Sequence, residues 1–175
     1  KRRDAFDLLI ANNRLPEWLE GDLDAMIGAC KLATTRSAKL ISRYGIETVT
    51  RSLRNTITYT ENRVRAEIGT WKSGTFSAET YIDHDYLGHH DIPIRCSLTV
   101  KDSTLLVDFS DSSPQVEGFV NSPLANTTSF VFAAIAGCID EDIPINEGLI
   151  KSVNINAPLG SVVNPIMPAP VGNCT

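Results

Sequence analysis

A chain of 175 residues with 42% hydrophobic and 21% charged content has room for one real core and not for several. Its formal net charge of -5 and its single short basic run, Lys1-Arg2-Arg3, argue against a nucleic-acid partner, because counterion release needs clustered cations that acids do not offset. No apolar stretch nears the roughly 20 residues that span a bilayer, and the first residues are too polar for a signal peptide, so a cytoplasmic chain with no membrane partner is expected. The four cysteines, Cys30, Cys96, Cys138 and Cys174, lie far apart with no Cys-x-x-Cys pair, and the three in apolar surroundings read as small buried thiols.

In chain order, the first third is helical. Pro16 opens a run in which Leu19, Leu23, Met26, Ile27, Cys30, Leu40, Ile41 and Tyr44 keep one stripe, and Gly45 ends it. Ile46, Val49, Leu53, Ile57, Val64 and Ile68 then step along a second helix. Two long helices with almost no link predict an antiparallel hairpin over 1–74. From Thr75 the period falls to two: Phe76, Ala78, Thr80 and Ile82, then Ile92, Ile94, Cys96, Leu98 and Val100, then Leu105, Val107 and Phe109 each line one face. These runs predict an antiparallel β-meander with a turn at "KDST". "NSPLANTTSFVFAAIAGCI" reads as one further buried helix, with Ser122 as N-cap and Pro123 in its first turn. One more strand is expected around Lys151 to Asn156. The fold class is therefore α+β, with regions 1–74 and 75–175 forming one domain or part of a larger one. The proline-punctuated close, "PAPVGNCT", has no finishing helix or polar tail and suggests a fragment.

All three histidines, His84, His89 and His90, sit in "YIDHDYLGHHDIP" among Asp83, Asp85 and Asp91. The residue types suit a metal, but the spacing does not: on an extended chain adjacent His89 and His90 diverge, and Asp83 and Asp85 point outward. A solvated turn without a metal is the expectation. Neither a Gly-x-Ser-x-Gly elbow nor a glycine-rich phosphate loop occurs, so no nucleophile or nucleotide site is read. A core does not explain "VDFSDSSPQVEGFVNSP". Its Ser112, Ser113, Gln115 and Asn121, with Asn146 in "IPINEGL", are the candidate pocket-lining groups, and Asp108 is read as structural.

These segments carry a resemblance. "GDLDAMIGACK", "RSAKLISRYGIETV", "LLVDFSDSSPQVEGFVNSPLANTTS" and "DIPINEGLIKSVNINAPLGSVVNP" together resemble the hydantoinase B family, which includes N-methylhydantoinase B, the matching half of 5-oxoprolinase, and acetone and acetophenone carboxylase subunits. The resemblance implies an interior fragment of an enzyme in which a hydantoinase A-like half, separate or fused, uses ATP to phosphorylate the carbonyl oxygen of a cyclic amide or enolisable ketone. The B half would then resolve that species, by hydrolysis or by carboxylation. It also implies a divalent metal for the full enzyme, with ligands preceding this chain, an oligomeric assembly, and no turnover by this chain alone. The histidines of the turn depart from the family pattern, and "PAPVGN" enters a family stretch that this chain does not complete. A non-catalytic assembly module, its long helical stripe packed on a partner, is the alternative from another class.

Overall fold

The computed structural model describes residues 2–172; Cys174, and with it the end of the "PAPVGNCT" stretch, lies outside them. The chain divides into two compact units, Lys1–Leu53 and Arg54–Thr175. The division falls inside the second long helix, whereas the sequence pattern changes at 74/75.

The first unit is helical. Helix α1 (Arg3–Ala11) lies against α2 (Pro16–Tyr44), and Phe6 is its buried residue. Pro16 presets the backbone of the first turn of α2, Glu17 and Arg43 suit the two ends of the helix dipole, and Gly45, at φ +79°, ends it. Helix α3 (Ile46–Ile68) follows at once. Both long helices thus begin and end where the sequence places them. The cover expected from a packed hairpin is missing, however: Leu19, Leu23 and Ile27 are half-buried and every other residue of α2 is exposed. Cys30, expected to be a buried thiol, is exposed for the same reason.

The second unit is built on a four-stranded sheet, β1 (Gly74–His84), β2 (His90–Lys101), β3 (Thr104–Asp108) and β4 (Val153–Asn156), in spatial order β1-β2-β3-β4. The first three strands form the expected meander. At the "KDST" turn both Asp102 and Ser103 have positive φ, +48° and +60°, which matches the right-handed twist of the strands it joins. The fourth strand pairs parallel to β3, so the sheet is mixed. A parallel neighbour requires a crossover, and residues 109–152 supply it with α4 (Leu124–Ala136) and α5 (Glu147–Ile150).

Alternation decides the faces. Ile92 and Val100 of β2 with Leu105 and Val107 of β3 are buried against Val64 and Ile68 of α3, Ile135 of α4 and Leu149 of α5. Arg95, Ser97 and Thr99 take the other face. Helix α4 is less covered than a buried helix should be: Thr127 and Ile135 are its buried residues, and Phe130 is 54% exposed. Its N-cap position belongs to Pro123 in extended conformation, not to Ser122. Cys138, just beyond the helix, is exposed rather than buried, and Cys96 is half-buried.

Helix α5 touches α3 through backbone. A Cβ on Gly148 would stand 2.4 Å from the Ile57 carbonyl oxygen and 2.6 Å from the Glu61 nitrogen. Asn146 holds this contact, accepting from the Gly148 N–H and donating to Thr60 Oγ1, both at 2.8 Å. Gly148→Ala is therefore expected to cost about 1–3 kcal/mol of stability, as overpacking against backbone does. Chemical denaturation should show a lowered midpoint with an unchanged slope.

Candidate functional site

Past Asp108 the chain leaves the sheet but continues to satisfy it. Asp108 Oδ1 accepts from the Ser110 N–H (2.9 Å), the Ser110 hydroxyl (2.6 Å) and Asn156 Nδ2 of β4 (2.9 Å). Those hydrogen bonds, Ser110's first, hold its carboxyl below the usual range against the opposing effect of burial. Ser112 then serves the edge of β2: its Oγ donates to the Arg95 carbonyl (2.9 Å) and accepts from the Arg95 N–H (3.1 Å), while the Ser113 N–H donates to the Pro93 carbonyl (2.9 Å).

Next the loop is laced to residues 157–172. The Val162 N–H donates to Ser113 O, the Gln115 N–H to Gly160 O, and the Ile166 N–H to Gln115 Oε1, at 2.7–2.9 Å. Asn121, 1% exposed, fastens the centre. Its Oδ1 accepts from the Val116 N–H (3.0 Å), and its Nδ2 donates to the carbonyls of Val116 (2.8 Å), Gly118 (3.0 Å) and Pro170 (3.0 Å). Ser112, Ser113, Gln115 and Asn121 thus meet in one region, as the sequence places them, but their polar atoms bond to the chain itself. Gln115 does line a hollow of about 360 Å³ with Val116, Glu117 and Pro168 to Pro170. Asn146 lies apart, on α5 against α3.

The foot of the histidine turn packs on this loop, while residues 86–90 are exposed. Asp85, expected to point outward, is fully buried: its Oδ1 accepts from the N–H groups of Leu87 (2.8 Å) and His89 (3.0 Å), and its Oδ2 lies 2.6 Å from His89 Nδ1. A Cβ on Gly118 would fall 2.2 Å from the Asp85 carbonyl oxygen, so only glycine permits the approach. Tyr86 stacks on Phe119 beside it, centroids 5.1 Å apart. The turn does not assemble a donor set: among the described residues no group of three or more His, Cys, Asp or Glu could hold a metal ion.

Two concave features flank the sheet. On the α4 side, a groove of about 420 Å³ is lined by Ile94, Cys96, Leu98, Val107 and Phe109 of the sheet and by Phe130, Val131 and Ala134 of the helix, with Ser122 and Thr127 at one end. Its size is that of small-molecule sites. Thr127 Oγ1 is already committed to Val163 O (2.7 Å) and Ser122 Oγ (3.0 Å), and burial, then the nearby Asp108, push the Cys96 thiol up, so the groove offers no ready nucleophile. On the opposite face Ser77, Ser97, Asp108 and Asn156 stand in register across all four strands, beside Arg95, which pairs with Glu79. Glu79 also accepts from the Tyr81 hydroxyl. The groove is the feature that sequence reasoning missed, because its walls come from β2, β3 and α4; the unexplained exposure of α4 is its local sign.

This fold and loop have known counterparts. The chain belongs to the hydantoinase B/oxoprolinase family, whose family model matches residues 1–175. It is 29% identical over its whole length to the caprolactamase subunit beta of Pseudomonas jessenii, covering 30% of that protein. The crystal structure of the ATP-dependent caprolactamase from Pseudomonas jessenii superposes at a TM-score of 0.89 over 99% of this chain and 30% of that one. A nucleotide-free acetone carboxylase shares the fold, with a TM-score of 0.86 at 18% identity over 97% of this chain and 24% of that one. The chain thus spans about 30% of the length of the curated relatives that it matches almost end to end. Among the described residues no helix is long and apolar enough to cross a membrane.

Two outcomes follow from the loops. Asn121→Ala strands a buried N–H and three carbonyls, and should cost about 2–4 kcal/mol, read as a lowered midpoint in denaturant. In Asp85, burial works to raise the pKa, but the hydrogen bonds from the Leu87 N–H, the His89 ring and the His89 N–H outweigh it and lower the value from 3.8 to about 2. A depressed carboxyl stabilises the folded chain above its unfolded pKa and loses that contribution as pH falls through the folded value. The gap in melting temperature between the wild type and Asp85→Asn should therefore be full above about pH 4 and shrink as the pH is lowered towards 2.

Proposed function

We propose that this chain is part of the B-type component of an ATP-dependent cyclic-amide hydrolase, and that its apolar groove receives the carbon skeleton of the ring. One observation carries the reading: the 29% identity and near-complete superposition with a protein described as an ATP-dependent caprolactamase. The chemistry agrees with the groove. An amide is a poor electrophile, and phosphorylating its carbonyl oxygen activates the carbon: one water adds there, the C–N bond breaks with a proton passing to the ring nitrogen, and a second water releases the phosphate from the acyl phosphate; what the receiving half must then provide is orientation of the ring towards that water. Apolar walls from Ile94, Leu98, Phe109, Phe130 and Val131 suit the methylene portion of a lactam or hydantoin.

On this reading the groove binds and does not itself react. The proposal places ATP on an A-type partner, fused or separate, and the divalent metal on a part of the enzyme outside this chain. Gln115, Ser112, Ser113 and Asn121 are proposed to act by holding the loops that frame the ring pocket, Gln115 being the one that also faces a hollow, and Asn146 to act at a distance from it by holding α5 on α3. The 175-residue chain alone is expected to open no lactam.

Ala134→Phe, which fills the groove, tests this in the full-length subunit combined with its ATP-binding partner. The expected result is a rise in KM for the lactam of about tenfold, equivalent to about 1.4 kcal/mol, with an unchanged melting temperature. An unchanged KM in a folded variant would remove the groove from substrate binding. The fold shared with acetone carboxylase motivates one further arm: a bicarbonate-dependent carboxylated product from a ketone, in place of a ring-opened acid, would replace hydrolysis by carboxylation.

A further inference from the structure

The groove on the α4 side ends in two hydroxyls, those of Ser122 and Thr127, between walls that are otherwise apolar. Every residue that lines it belongs to the second unit, so the hydrogen bonds at this end are fixed within that unit, whatever lies over the groove. They decide what a molecule in the groove can be offered. We propose that this end takes the ring N–H of a cyclic amide, with Ser122 Oγ as its acceptor, and rejects rings whose nitrogen carries carbon or is replaced by oxygen. This rests on the groove being the site of the ring.

The donors of both residues are spent inside the chain. Val163 O is a carbonyl and can only accept, so its 2.7 Å contact with Thr127 Oγ1 takes the one hydroxyl proton that Thr127 has. The 3.0 Å contact between Thr127 Oγ1 and Ser122 Oγ is then made with the proton of Ser122. The two backbone groups are used as well: Ser122 N–H donates to Val162 O (2.7 Å) and Thr127 N–H to Pro123 O (3.1 Å). Neither residue has a donor left for a ligand.

An acceptor remains. Ser122 Oγ receives Asn126 Nδ2 at 3.1 Å on one lone pair and keeps the second. Thr127, 7% exposed, stands behind it and locks the direction of the Ser122 proton. The other polar side chain of the walls, Cys96, carries a sulfur that bonds weakly in either sense. An end that can accept and not donate asks for a ligand atom that can donate and not accept.

The nitrogen of a secondary lactam is such an atom, because its lone pair is drawn into the amide and only its N–H is left to bond. The carbonyl oxygen is the reverse, and turned to this end it would set acceptor against acceptor. The ring is therefore oriented, with its N–H at Ser122 and its methylenes along Ile94, Leu98, Phe109, Phe130 and Val131. The oxygen that is to be phosphorylated is thereby kept off the hydroxyls. A charged ammonium does not suit the end, since among the described residues no acidic side chain lines the groove to balance it.

Calorimetric titration of the full-length subunit in complex with its ATP-binding partner tests this with pyrrolidinone and caprolactam, each beside its N-methyl derivative and the lactone of the same ring size. The wild type should bind the N–H ring at least about tenfold more tightly than either counterpart. Ser122→Ala should weaken the lactam about tenfold, leave the N-methyl ring within about twofold, and so abolish the preference. Thr127→Val frees the Ser122 proton and should move the preference at least about threefold towards the lactone, whose ring oxygen accepts; a hydroxyl that only held the fold would not shift it. Equal affinity for the three rings in the wild type, a comparison that needs no variant, would overturn the inference, as would an undiminished preference in folded Ser122→Ala. If Ala134→Phe weakens all three rings while Ser122→Ala changes no preference, the groove holds the ring but Ser122 does not read it. If no ring binds, or Ala134→Phe weakens none, the groove is not the ring site and the inference falls with it.

Discussion

The second unit depends on satisfying backbone polar groups where there is neither helix nor strand. Residues 109–123 and 157–172 lie mostly outside regular elements, yet both run against the core, where an unpaired N–H or C=O costs as much as a lost hydrogen bond. The solution is mutual. Each segment supplies the other's partners, and the Asn121 amide, buried at the crossing, completes the set with one acceptor and two donors satisfied at once. Once this seam is closed, β3 can end at Asp108 without leaving the edge of β2 unpaired, and α4 is launched across the sheet at the height that leaves the groove open.

That division of labour shows how polar residues rich in hydrogen-bonding capacity can serve the fold from within a loop. Ser112, Gln115 and Asn121 are the residue types that would line a polar pocket, and they sit in a loop between a strand and a helix, where pockets form. What distinguishes fastening from binding is whether their atoms are committed inside the chain, and this depends on residues 157–172, far along the sequence. Local pattern cannot show it. Asn146 was legible on the same terms only as a polar turn; its work as N-cap and as a clamp on Thr60 requires α3.

What the sequence did make legible were the properties set by neighbours a few residues away. Pro16 and Gly45 bracket α2, alternation of Ile92 to Val100 fixes the buried face of β2, and the resemblance of "VDFSDSSPQVEGFVNSP" to the hydantoinase B family placed the chain correctly. The failures share one cause. Cys30 and Cys138 stand in apolar runs, but an apolar run guarantees burial only if something is there to cover it. The Asp85 carboxylate, taken for a solvated group, is drawn inside by the turn's own N–H groups, an arrangement that depends on a reversal of the chain at Tyr86 and Gly88.

The contact of Asp85 with Gly118 has a consequence for how this protein can change. The hairpin turn looks like the natural place for evolution to insert residues or exchange them freely, since it joins two strands at a sheet edge. Its foot, Asp85 just past the end of β1, is instead set against a backbone that tolerates no side chain. Exchange is therefore open at the exposed residues 86–90, whereas moving Asp85 would have to be matched by a change around Gly118. Two stretches that read as independent loops must be inherited as a pair.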